Sequence, residues 1–181
     1  MKKGFTIPEL LVAIALFGLI TGAAVNLLVS AIDAQRRSLV GQNIVSQSSF
    51  TMEYMTRALR QAQKEMADPP GGCLLQGRGY NYEATATGDG GIRFINAQGA
   101  CQEFYLESGR VKEIIDAGSP ENLTSDNFTV TQFSFQLLGE SQADLLQPRL
   151  TLVFALESAS AVQFGLRLQT TISQRNIDIV R

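Results

Sequence analysis

Glu9 is the residue whose chemistry most needs an explanation. It stands immediately before an apolar run, and no further charge occurs until Asp33. A carboxylate at mid-depth in a bilayer costs about 2.5–3.5 kcal/mol on insertion scales, and somewhat less near an interface. Such a group wants a cationic partner, yet the run from Leu10 to Ile32 holds no Lys or Arg. Upstream, Lys2-Lys3-Gly4-Phe5 sets a glycine between two lysines and the apolar segment. The other reactive pair is Cys73 and Cys101, the 2 cysteines of the chain. Histidine is absent, which removes Ser-His-Asp and Cys-His nucleophilic pairs and imidazole metal sites. Two cysteines alone cannot close a structural zinc site. Asp and Glu total 17, but no spacing marks two of them as an acid–base pair. The chain therefore reads as a non-enzyme, with no catalytic residue, metal site or cofactor expected.

The element that positions Glu9 follows from the apolar run. Only Thr21, Asn26 and Ser30 interrupt Leu10 to Ile32 with polar side chains. About twenty apolar residues at 1.5 Å rise span a hydrocarbon core of roughly 30 Å. A lipid-buried backbone must satisfy its own hydrogen bonds, so the segment is expected to be helical. Pro8 fits the first turn, where the N–H it lacks would have no intrahelical partner. A secretory signal peptide shares the Lys-rich start and apolar centre, and Gly22-Ala23-Ala24 would serve as its small-residue cleavage site. Gly4 and Glu9 count against it, because neither a signal nor a plain anchor gains from them.

Lys3-Gly4-Phe5-Thr6-Ile7-Pro8-Glu9-Leu10-Leu11-Val12 resembles the class III signal of type IV prepilins and type II secretion pseudopilins. The resemblance implies a leader of residues 1–4, removed by a prepilin peptidase that cuts after Gly4 and methylates Phe5. Residues 5–32 would remain as a transmembrane and assembly helix, with Glu9 paired to a neighbouring subunit's amino terminus. Leaving either charge unpaired in low dielectric would be costly, so the pair would act as a register pin between slippery apolar helices. Pro8 replaces the Leu or Ile common in the family, and Asn26 stands where many major pilins have a helix-kinking proline. The implied partners are the peptidase, other pilin or pseudopilin subunits, the inner-membrane assembly machinery and the lipid bilayer. The implied location is single-pass in the cytoplasmic (inner) membrane with the C-terminal domain extracytoplasmic, then a filament at the cell surface or in the periplasm. The 15 Lys and Arg are scattered and the net charge is -2, which leaves nucleic acid as a partner only at a filament tip.

Beyond Asp33 the sequence turns polar but keeps a helical period. Val40, Ile44, Met55, Leu59, Ala62 and Met66 form an apolar stripe, and Arg36, Arg37, Glu53, Arg57, Arg60, Lys64 and Glu65 decorate the other faces. The spacing predicts an amphipathic helix over 33–68, ended by Asp68-Pro69-Pro70-Gly71-Gly72. From Cys73 the period changes to 2, predicting a β-rich head over 69–181. Strands are expected at Ile92–Ile95, at Glu103–Leu106 and Arg110–Ile114 as a hairpin about Glu107-Ser108-Gly109, and at Leu150–Leu156. Phe128–Val130 and Phe133–Leu137 alternate, but the apolar face flips near Thr131-Gln132, which predicts a bulge or bend. A last strand should turn Phe164, Leu166, Leu168, Thr170 and Ile172 inward. Helix-then-strands order predicts an α+β fold, a long amino-terminal helix packed on an antiparallel sheet, and the pilin family shares that organisation. An even cysteine pair in an exported domain favours a Cys73–Cys101 disulfide, with two buried free thiols as the alternative. The absence of a cysteine-stapled carboxy-terminal loop leans the resemblance toward a minor pilin or pseudopilin. Leu168 to Asn176 is similar to tails of the J-type pseudopilin and W-type minor pilin groups. A membrane-tethered binding or adhesin-like domain that enters no filament is the competing expectation.

Overall fold

A computed structural model describes residue 4 and residues 6–68, 72–139, 146–159 and 163–175. Phe5 and the Pro69-Pro70-Gly71 stop signal lie outside the described residues. The first element is a single helix, α1, over Ile7–Arg60. The chain divides into two units, Met1–Val40 and Gly41–Arg181. In the first unit, the helix buries none of its described residues except Val40, which is half-covered. Ile7, Leu10, Leu11, Phe17 and Leu27 are each more than half exposed. The sequence boundary between apolar and polar segments lies at 32/33, whereas the compact head reaches back along the helix to Gly41.

In the head, Gly41, Ile44, Ser48, Thr51, Met55 and Leu59 form the buried face of α1. They recur every three or four residues, as one face of a 3.6-residue helix must. Ser48 and Thr51 interrupt the stripe with polar groups, the first satisfied within the helix and the second across the head. Ser48 Oγ donates to Val45 O at 3.0 Å, and Thr51 Oγ1 donates to Leu123 O at 3.3 Å. Gly41 sits where Phe164 crosses: a Cβ there would come within 3.2 Å of the ring.

Among the described residues all strands pair antiparallel, but they form two sheets rather than the expected one. The first comprises β1 (Glu83–Thr85), β2 (Gly91–Ile95), β3 (Cys101–Glu107), β4 (Arg110–Ile115) and β5 (Glu121–Asn122), in that order. The second comprises β6 (Phe128–Leu138), β7 (Arg149–Ser158) and β8 (Gly165–Ser173). The β3–β4 hairpin closes through Ser108 (φ 53°) and Gly109 (φ 72°), with Glu107 opposite Arg110. Two positive φ values in a two-residue loop match the twist of the flanking strands. The bulge expected near Thr131 is present, as a register shift between Val130 and Gln132. β7 alternates strictly, burying Leu150, Leu152, Phe154 and Leu156. On β8, Leu166, Leu168, Thr170 and Ile172 are the better-covered residues, as the alternation predicts, whereas Phe164 is exposed. A single core joins Ile44, Met55 and Leu59 of the helix to Phe94 and Phe104 of the first sheet and Phe133 and Phe154 of the second. Each such side chain contributes about 1.5–3 kcal/mol by leaving water.

The helix stops at Arg60, eight residues short of the predicted end at 68. No helix breaker stands between; tertiary donors take over the carbonyls of the last turns. Arg60 O accepts the N–H of Arg175, Leu59 O the hydroxyl of Tyr82 and Ala62 O the amide Nε2 of Gln174. Downstream, Gln63 N–H turns to Ile95 O and Glu65 N–H to Tyr80 O. Met66, expected in the buried stripe, is 64% exposed. Glu65, expected on an outer helix face, is buried.

Candidate functional site: the amino-terminal signal and the clamped disulfide

The predicted signal occupies the start of α1. Gly4 is exposed and precedes the helix. Thr6 O accepts the N–H of Leu10 at 3.2 Å, which makes Thr6 the capping residue before Ile7. Thr6 Oγ1 lies 3.5 Å from Glu9 Oε2, across the first turn. Thr6-Ile7-Pro8-Glu9 therefore has the spacing of a capping box, a signal overlooked in reading Glu9 only as a membrane charge. The carboxylate also meets the positive end of the helix dipole, a contribution of about 0.3–1 kcal/mol at exposed sites. The cost of a carboxylate in lipid exceeds this at mid-depth and falls toward the interface, so a Glu9 carried inward would still call for a cation. No Lys or Arg occurs between Glu9 and Asp33 to supply one. The helix is long and apolar enough to cross a membrane, by length and composition.

The second predicted site is a disulfide: Cys73 and Cys101 are bonded, with Cα atoms 5.4 Å apart. The free-thiol alternative is thereby set aside. What surrounds the bond was not visible in the sequence. Glu65 accepts the backbone N–H groups of Ala67 (2.8 Å), Cys73 (2.7 Å) and Leu74 (3.2 Å). Burial pushes its carboxyl up, but those N–H groups outweigh burial and hold it below the usual carboxylate value. Gly72 makes room for this approach, because a Cβ there would lie 2.6 Å from Glu65 Oε2. On the opposite side Asp116 Oδ1 accepts the N–H of Cys101 at 2.8 Å. Each cysteine backbone is thus held by a carboxylate.

A cleft of about 560 Å³ opens beside the disulfide, lined by Glu65, Arg93, Glu103 and Asp116 among others. Its carboxylates are already engaged. Glu103 takes Arg93 Nη2 at 2.9 Å and Thr85 Oγ1 at 2.5 Å. Burial raises the Glu103 carboxyl, and the Thr85, Thr87 and Arg93 hydrogen bonds more than reverse it. The arrangement is structural: it fixes the disulfide and the β2–β3 pair. A third buried carboxylate, Glu113, receives Tyr54 Oη at 2.8 Å and the Gln102 amide, tying α1 to β3 and β4. Burial and this carboxylate push the Tyr54 hydroxyl up to about 12.

Residues 1–25 match the family model described as Prokaryotic N-terminal methylation motif. Neither the curated proteins nor the solved structures yielded a match. A methylation motif joined to a long apolar helix, an antiparallel α+β head and a disulfide supports a type IV pilin-like protein. A signal of this class implies processing by a prepilin peptidase, assembly with other pilin-like subunits and anchoring in a membrane.

Proposed function

We propose that the chain is a non-catalytic structural subunit, minor rather than major, of a type IV pilus, competence pseudopilus or type II secretion pseudopilus. The observation that carries this reading is the placement of Glu9. It lies in the first turn of a helix with no cation from there to Asp33, inside the methylation motif matched over residues 1–25. Cleavage after Gly4 would create an α-amine at Phe5, and a staggered neighbour's amine is the cation that Glu9 lacks. The pair would fix the register of helices whose membrane half is otherwise uncharged and mostly apolar. The minor assignment, and within it the J-type or W-type likeness, rests on the Leu168–Asn176 tail and on a disulfide that closes the first β region instead of a carboxy-terminal loop. In this reading the chain sits single-pass in the cytoplasmic membrane with its head outside, and the assembly machinery moves it into the filament.

Mass spectrometry of the amino-terminal peptide from native membranes tests the reading. The expected mature chain begins with methylated Phe5. A mature start near Val25 would mark an ordinary signal peptide and end the proposal, and an unprocessed Met1 would favour a tethered domain that enters no filament.

A further inference from the structure

Among the described residues, the second sheet leaves its last strand unpaired on one side, since β8 bonds there only to β7. Two backbone bonds establish which residues look outward. Ser158 N–H donates to Phe164 O at 2.9 Å, and Gln174 N–H donates to Pro148 O at 3.2 Å. In an antiparallel ladder the bonded residues alternate, so the even-numbered positions of β8 face β7. The N–H and C=O groups of Gly165, Arg167, Gln169, Thr171 and Ser173 therefore project from the free edge. Arg175, next in the series, donates its N–H to Arg60 O.

Sheet edges are ordinarily guarded by shortness, Pro, Lys or a bulge. The other edges of this head are guarded. β1 has 3 residues and β5 has 2. β6 is bulged and donates Val130 N–H to Gly109 O. β8 has 9 residues in unbroken register, with neither Pro nor Lys. Beside it Leu166 and Leu168 on the inner face, and Met52 of α1, are only half-buried. A groove there is lined by Met52, Arg57, Arg60, Leu168 and Arg175, among others. Arg57 pairs with Glu53, but the side chains of Arg60, Arg167 and Arg175 have no acidic partner among the described residues.

We propose that β8 is an acceptor edge for an extended strand donated by a different protein chain, apolar at alternate positions and acidic between them. The donor's inward side chains would cover Leu166, Leu168 and Met52. Its outward ones would lie beside Arg167, Gln169 and Thr171, where an acid meets a cation, and the groove's arginines favour the same charge. A second copy fits less well. Its other edges are too short or bulged to pair with β8, and β8 against β8 would join two cationic edges. Naming the donor as another filament subunit rests on the assembly reading above; the edge chemistry does not.

The test uses the full chain in detergent micelles and a synthetic nine-residue peptide alternating Val with Asp or Thr. Binding should be saturable and should slow hydrogen exchange at Arg167, Gln169 and Thr171 by about tenfold or more, the scale of one or two net hydrogen bonds. Leu166 and Leu168, already bonded to β7, should be unchanged. Gln169→Pro removes an outward N–H that the native ladder does not use. It should weaken binding about tenfold with unchanged circular dichroism, while Gln169→Thr retains binding. Replacing Asp by Asn in the peptide should weaken binding at low salt. Equal binding by Gln169→Pro, or no added protection at those three amides, would overturn the proposal. Protection of the same amides without peptide, rising with protein concentration, would assign the edge to a second copy and overturn it too. None of these readouts requires processing, so a failure here leaves the amino-terminal reading intact, and the reverse holds.

Discussion

Glu9 and Glu65 are two carboxylates with opposite solutions. Glu9 has one weakly placed hydroxyl at 3.5 Å and stays exposed at a helix start. Glu65 is buried and saturated by backbone N–H groups within its own loop region. The first is left open to an outside partner, as the assembly reading requires, and the second is complete. Glu9→Ala is expected to leave cleavage, insertion and the head intact while reducing filament incorporation. Disulfide crosslinking between cysteines placed on neighbouring apolar helices measures this, and wild-type crosslinking by Glu9→Ala would eliminate the register pin. Glu65→Gln should destabilise the head by about 1–3 kcal/mol at neutral pH, because an amide cannot accept three N–H groups as a carboxylate does. The pH dependence has a definite sign. Glu65 and Glu103 are both held below their unfolded value of 4.5. Their contribution is fully present above that pH and is lost as pH falls through the lower folded values. Melting curves of the two proteins should therefore converge on acidification below about pH 4.5. A gap that stays constant down to pH 2 would contradict the carboxylate's role.

At the scale of elements, the end of α1 shows how tertiary hydrogen bonds override local signals. The carbonyls of Leu59, Arg60 and Ala62 find Tyr82, Arg175 and Gln174, all distant in sequence. Gln174 also donates to Asn81 Oδ1 at 3.1 Å, so one amide joins the helix end, the loop before β1 and the tail of β8. Gln174→Leu should cost about 1–3 kcal/mol by removing two buried hydrogen bonds. Thermal unfolding followed by the β-sheet circular dichroism signal would show it, and an unchanged midpoint would refute the account. The hairpin at Ser108-Gly109 is the contrasting case. Its geometry is decided by two residues with positive φ, so it was legible from the sequence. The stripe of α1 lies between these extremes. Ile44, Met55 and Leu59 were legible from their period, whereas Ser48 and Thr51 were missed because each is buried only by virtue of a carbonyl acceptor nearby.

For the molecule as a whole, the Cys73–Cys101 bond links residues 28 apart in sequence and joins the loop after α1 to β3. The chain-entropy model assigns a closed loop of that size about 3–4 kcal/mol. Reduction should accordingly lower the melting temperature of the head, and the carboxylate clamps of Glu65 and Asp116 should let it refold with the bond re-formed. A reduced protein that melts with the oxidised one would refute the stabilising role. Sequence alone determined the features that are local or compositional. The apolar span, the signal around Gly4 and Glu9, the tight hairpin, the bulge near Thr131 and the α+β order each depend on neighbours a few residues away. Tertiary structure alone decided the helix end at Arg60, the burial of Glu65, the split into two sheets and the open edge of β8. Each of these turns on which distant donor or acceptor reaches a backbone group first. A one-dimensional pattern carries no record of that competition.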